Sequence, residues 1–117
     1  MRKELQGPED FELAAREEVQ ISADFDLPLC AISIRLPDGP DAGLIRRLLD
    51  EIRVADLAGS PAPDELDIVL PNVGHEDARR VEERLRAEAP GAVVGLAPYE
   101  PGDTSEALLD RARRSRE

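Results

Sequence analysis

Aromatic side chains are nearly missing from this 117-residue chain: it has two phenylalanines, one tyrosine and no tryptophan. Its core must therefore be aliphatic, built of Leu, Ile, Val and Ala. A single cysteine, Cys30, excludes an internal disulfide; lying in an apolar run, it reads as a small buried hydrophobe. The one histidine, His75, has no second histidine or cysteine near it, so no zinc-type ligand set is expected and His75 reads as an exposed polar residue. Lysine is almost absent as well, Lys3 being the only one, so nearly all positive charge is arginine. No Gly-x-Ser-x-Gly, Walker or Cys-x-x-Cys pattern occurs. No apolar run approaches membrane-spanning length and no signal-peptide pattern opens the chain, which gives the expectation of a cytoplasmic protein without a membrane partner.

What is abundant is acid. The 26 carboxylates against 15 bases give a formal net charge of −11, which argues against nucleic-acid and anionic-membrane binding. A small anionic ligand held by a few clustered arginines stays compatible with that charge. The length suits one domain with one core. Residues 1–8 are polar and expected to be mobile, leaving a single domain over 9–117.

The hydrophobic periodicity gives the elements in turn. Phe11, Leu13, Ala14, Ala15 and Val19 among charges predict an amphipathic helix over about 9–19. Residues 27–36, almost continuously apolar or small, predict a central strand covered on both faces, with Ile32 and Ile34 in the core. Leu44, Ile45, Leu48, Leu49 and Ile52 share one face of a helix expected over 41–54, with Asp41 as its N-cap. The segment 57–63, LAGSPAP, cannot continue a helix and reads as a turn, followed by the short apolar strand Asp67-Ile68-Val69-Leu70 closed by Pro71. A helix over 75–89, a strand over 92–97 and a final helix capped by Thr104 or Ser105 complete the chain. The order is helix, strand, helix, strand, strand, helix, strand, helix. It predicts an α/β (α+β) sandwich: a four- to five-stranded sheet packed by helices around a ferredoxin-like β-α-β-β-α-β core.

The stretch RVADLAGSPAPDELDIVLP, from Arg53 to Pro71, carries a more specific signal. Helix, turn, acidic pair, strand and proline in that order resemble the signature region of the GGDEF domain, the diguanylate cyclase family, whose fold is nucleotide-cyclase-like. The five motif positions read Ala62, Pro63, Asp64, Glu65 and Leu66: the acids are kept and both glycines are gone. The loop Tyr99-Glu100-Pro101-Gly102-Asp103-Thr104 resembles a late connection of the same family. The resemblance is specific from Arg53 to Arg113 and thinner before.

What the resemblance implies about catalysis is negative. The family holds its metal ions with an aspartate ending the first strand and an acid of the motif; here Arg35 occupies the aspartate's place, and a cation stands where a cation would bind. Pro63 replaces a motif glycine, with fixed φ and no N–H to donate. The family's guanine-reading segment between its first two helices has no room here. The expectation is a catalytically inactive domain without a metal or other cofactor, in which Asp64 and Glu65 form a solvated acidic turn.

The resemblance also implies a second site. Many members carry Arg-x-x-Asp five residues before the motif, where it binds the product, cyclic di-GMP. Arg53-Val54-Ala55-Asp56 has that spacing, and Arg84 falls where the family often adds an arginine from the following helix. A guanidinium can pair with guanine or phosphate, and a carboxylate can accept from the guanine edge. Arg53 also has a plain structural use, as a cation at the end of the helix expected before it. Two readings follow: a cyclic di-GMP receptor through Arg53, Asp56 and Arg84, or a protein interaction or homodimerisation module with no nucleotide ligand.

Overall fold

The apolar run after Leu27 forms the strand around which the other strands pair. In the computed structural model, which describes residues 3–117, this is β1 (Leu29–Arg35). It is bordered on one side by β3 (Glu65–Pro71) and on the other by β4 (Val93–Pro98), both antiparallel to it. A three-residue strand, β2 (Leu57–Gly59), adds outside β3, giving the order β2-β3-β1-β4. Each helical crossover therefore skips one strand: α2 (Ala42–Leu49) links β1 to β2 across β3, and α3 (His75–Glu88) links β3 to β4 across β1. That is the split β-α-β-β-α-β pattern expected from the sequence, with four strands.

The strand period of two divides the core. Cys30, Ile32, Ile34 and Leu36 face α2 and α3, where Leu48, Leu49, Ala78 and Leu85 meet Leu66, Ile68 and Leu70. Leu29 and Ala31 face the opposite way, with Val69 and Ala97, onto Phe11 and Ala15 of α1 (Pro8–Phe25) and Leu108, Leu109 and Ala112 of α4 (Ser105–Arg114). On this second face one row across the sheet is small or polar: Gly59, Asp67, Ser33 and Gly95 are register partners in sequence. A Cβ on Gly59 would lie 2.7 Å from the Phe11 ring, and one on Gly95 would lie 2.0 Å from the Ala112 carbonyl oxygen. The row is small because α1 and α4 sit directly on it.

Cys30 is buried, and its thiol lies 3.4 Å from the Val73 carbonyl. Burial pushes its pKa up to about 11, so little thiolate exists near neutrality. We expect a thiol reagent at pH 8 to modify Cys30 only in denaturant; stoichiometric labelling of native protein within minutes would contradict the central placement of β1.

Three elements differ from the expectation. Helix α1 continues past residue 19 to Phe25, where Asp26 takes a left-handed conformation (φ 52°) and the Leu27 N–H donates to the Ser22 carbonyl, closing the end. The apolar pattern hid this because the last turns bury Ser22 and expose Ile21 and Phe25. Helix α2 stops at Leu49 instead of running to residue 54. The next residues tighten into turns, Glu51 N–H to Leu48 O and Ile52 N–H to Leu49 O, which keep Ile52 against the core and so imitate a continuing helical period. The strand that the expected order puts before β3 is β2, and it lies within the segment read as a turn; three residues of Leu, Ala and Gly carry too little side chain to mark its place. Of the stretch expected to be mobile, Met1 and Arg2 lie outside the described residues, while the Gln6 N–H donates to the Ala58 carbonyl beside β2. No described helix is long and apolar enough to cross a membrane.

Candidate functional site

The β2–β3 hairpin carries the degenerate motif. Its tip is residues 60–64, closed by the Glu65 N–H donating to the Ala62 carbonyl and by the Ser60 hydroxyl, 2.8 Å from the Glu65 carbonyl oxygen. The Leu36 N–H donates to the Asp64 carbonyl, tying the tip to the end of β1. Pro63 is exposed, Ala62 and Asp64 are half-buried, and Leu66 is fully buried. Glu65 opens β3 opposite Arg35, its register partner on β1. Its carboxylate is also ion-paired with Arg116, beyond the end of α4. A magnesium site needs several hard oxygen donors around one point. Here the motif glutamate has one guanidinium bound to it and a second arginine across the ladder. Among the described residues no group of three or more His, Cys, Asp or Glu is placed to hold a metal. The donor set does not fit a magnesium ion.

The second candidate lies at the other end of β2. With α2 ending at Leu49, Arg53 and Asp56 are not on a helix end: they are the first and last residues of a turn, in which the Asp56 N–H donates to the Arg53 carbonyl. The Asp56 side chain folds back into it. Its Oδ2 accepts from the Arg53 backbone N–H at 2.7 Å, and its Oδ1 accepts from Arg53 Nη2 at 2.7 Å and Nε at 3.1 Å. Asp56 is 2% exposed, whereas the Arg53 side chain is 54% exposed. The hydrogen bond that Arg53 donates to Asp56 raises the Arg53 pKa further. Arg53 Nη2 also donates to the Pro71 carbonyl at 2.8 Å, bracing the turn against the end of β3. The Lys3 ammonium donates to the Asp56 and Val54 carbonyls, and burial lowers its pKa.

Arg84 comes from α3 to the same loop. Its Nε lies 3.5 Å from a Glu51 carboxylate oxygen, and its Nη2 lies 3.4 Å from the Glu51 carbonyl, two residues before Arg53. Arg53 and Arg84 are thus both half-exposed and both held at the same loop, Arg53 by the buried Asp56 and Arg84 by Glu51. Of the acids near in sequence, Asp50 is turned to Arg46.

A third polar cluster escaped the sequence reading. Asp67, fully buried on β3, accepts from the Ser33 hydroxyl at 2.7 Å and from Arg113 Nε at 3.1 Å. An aspartate opening an apolar strand run is the only trace it leaves in the sequence. Its partners come from β1 and α4, 34 and 46 residues away. It ties the sheet to α4.

Comparison with known proteins decides the fold. No protein-family profile matches the chain, and no curated protein does. Solved structures do: the isolated GGDEF domain of YfiN (TpbB) from Pseudomonas aeruginosa superposes with a TM-score of 0.83 at 20% identity, over 98% of this chain and 86% of that one. The chain has the GGDEF-domain fold. The GGDEF domain of DgcB from Caulobacter crescentus, solved in complex with cyclic di-GMP, is similar at TM-score 0.78 and 13% identity, over 97% of this chain and 89% of that one. Diguanylate cyclase SiaD from P. aeruginosa, solved with its activator SiaC, is similar at TM-score 0.80 and 22% identity; this chain is covered to 97% and spans 55% of that one. The GGDEF fold expected from the Arg53–Pro71 stretch is the fold found. Within it, α2 is the one helix between β1 and β2.

Proposed function

We propose that this chain is a GGDEF-fold signalling domain that does not synthesise cyclic di-GMP and instead receives it, at the surface flanked by Arg53 and Arg84. The observation that carries the non-catalytic part is the state of Glu65: the hairpin acid is ion-paired with Arg116 and faces Arg35 across the strand ladder. Joining two GTP molecules requires metal ions to neutralise triphosphate charge and activate a hydroxyl. Two arginines beside Glu65 oppose that. With magnesium and GTP the protein is expected to form no cyclic di-GMP, and Arg35→Asp alone is not expected to restore synthesis, because Arg116 and Pro63 remain. Product from clean wild-type protein, absent from an Asp64→Ala/Glu65→Ala control, would overturn this reading.

The receptor part is supported by two half-exposed guanidinium groups from different elements on one loop. A doubly anionic dinucleotide is the chemistry such a pair recognises. In this arrangement Asp56 acts as the positioning residue: buried and hydrogen-bonded to Arg53 at three atoms, it fixes the guanidinium for the ligand. A second reading, an interaction module without a nucleotide, is favoured by that same burial, since the Asp56 carboxylate has no open edge to offer a guanine.

A further inference from the structure

We propose that the outward flank of α1 is a docking surface for a basic amphipathic helix of a partner protein. Helix α1 buries Phe11, Ala15 and Ser22 against the sheet. At 3.6 residues per turn, Leu13 lies opposite that face and Ile21 about 100° from it, while Phe25, in the last turn, lies about 60° from it; they are 57%, 41% and 70% exposed. Ile21 and Phe25, four residues apart, are neighbours on the helix surface, and Leu27, 38% exposed, follows where the chain leaves the helix. One of only two phenylalanines in the chain is thus spent on solvent.

Charge selects the occupant. Asp10, Glu17 and Asp24 recur every seven residues and form an exposed acidic row beside Ile21 and Phe25. Among the described residues no base is paired with any of the three. Arg16 is the only base on α1, and it is already bridged to Glu12 at 2.6 Å and to Glu106 at 3.2 Å. A second copy of α1 laid on this flank would bring acid against acid, in a chain of net charge −11. A helix with an apolar stripe bordered by lysine or arginine complements both rows, the usual way one amphipathic helix recognises a surface. The flank belongs to the α1/α4 side of the sheet, whereas Arg84 is on α3 on the other side, so the inference does not depend on the nucleotide site.

The test uses the full chain and two synthetic peptides of about 18 residues, each with a leucine stripe, one bordered by lysines and one by glutamates. Fluorescence anisotropy is expected to show the lysine peptide binding at least about tenfold tighter. Phe25→Ser and Glu17→Lys/Asp24→Lys should each weaken it about tenfold or more while leaving the circular dichroism unchanged, and Glu76→Lys/Asp77→Lys on α3 should not weaken it. Equal binding of both peptides, indifference to Phe25→Ser, or the same loss from the α3 reversal would overturn the proposal. So would a dimer in sedimentation that Phe25→Ser dissolves, which would give the flank to a second copy.

Discussion

Gly95→Ala is expected to destabilise the protein by about 3 kcal/mol or more, at or beyond the upper end of ordinary overpacking. The added Cβ would lie 2.0 Å from the Ala112 carbonyl oxygen, 2.7 Å from the Arg116 nitrogen and 2.8 Å from the Ser115 carbonyl carbon. All three are backbone atoms, so no side chain can swing aside; α4 itself must move off β4. Gly59→Ala meets only the Phe11 side chain, at 2.7 Å, and should cost less, because a ring can shift. Gly74→Ala meets nothing within 4 Å and serves as the control. Urea melts of the three variants should rank them in that order; Gly95→Ala melting with the control would mean that α4 does not lie against β4 as described.

Asp67→Ala is the second large effect. It removes the acceptor of both the Ser33 hydroxyl and the Arg113 guanidinium, and Asp67 is fully buried. Breaking a buried ion pair from one side costs about 3–5 kcal/mol. Arg113 keeps about a third of its side chain in water, so the lower end, about 3 kcal/mol, is the expectation. Replacing both partners, as Asp67→Ala/Arg113→Met, should recover part of the loss, since no charge is then stranded. A double variant less stable than the sum of the two singles would show that the cluster does more than satisfy its own charges.

Strand β1 is legible because it is buried on both faces, and such a strand reads as an unbroken apolar run. Helix α3 is legible because Gly74 and Pro90-Gly91 punctuate it at both ends, and strand β4 because Pro90-Gly91 precedes it and Pro98 closes it. The end of α2 is not legible, because a tightened turn keeps Ile52 on the core side just as another helical turn would. Strand β2 is hidden because its place beside Phe11 demands small residues, and small residues before two prolines look like a turn. The C-terminal half of α1 breaks the pattern for the opposite reason: its apolar residues face outward. At the candidate sites, the spacing of Arg53 and Asp56 could be read, and Arg84 does come to the same loop. That Asp56 points inward could not be read, because it depends on α2 ending early and on a turn that supplies the Arg53 N–H. The pairing of Arg116 with Glu65 joins residues 51 apart and leaves no local pattern.

The most direct measurement of the central claim is a calorimetric titration of the protein with cyclic di-GMP, repeated with Arg53→Ala and Asp56→Asn and at raised salt. The account predicts binding by the wild type that weakens as salt rises, because charge pairing contributes to it. It predicts a loss of about tenfold or more in Arg53→Ala, the scale of one charge-assisted hydrogen bond. It predicts a smaller loss in Asp56→Asn, which keeps the turn but holds the guanidinium less firmly. No heat and no thermal shift at high ligand concentration would contradict the receptor reading and leave an interaction module, and equal binding by wild type and Arg53→Ala would contradict the placement of the site.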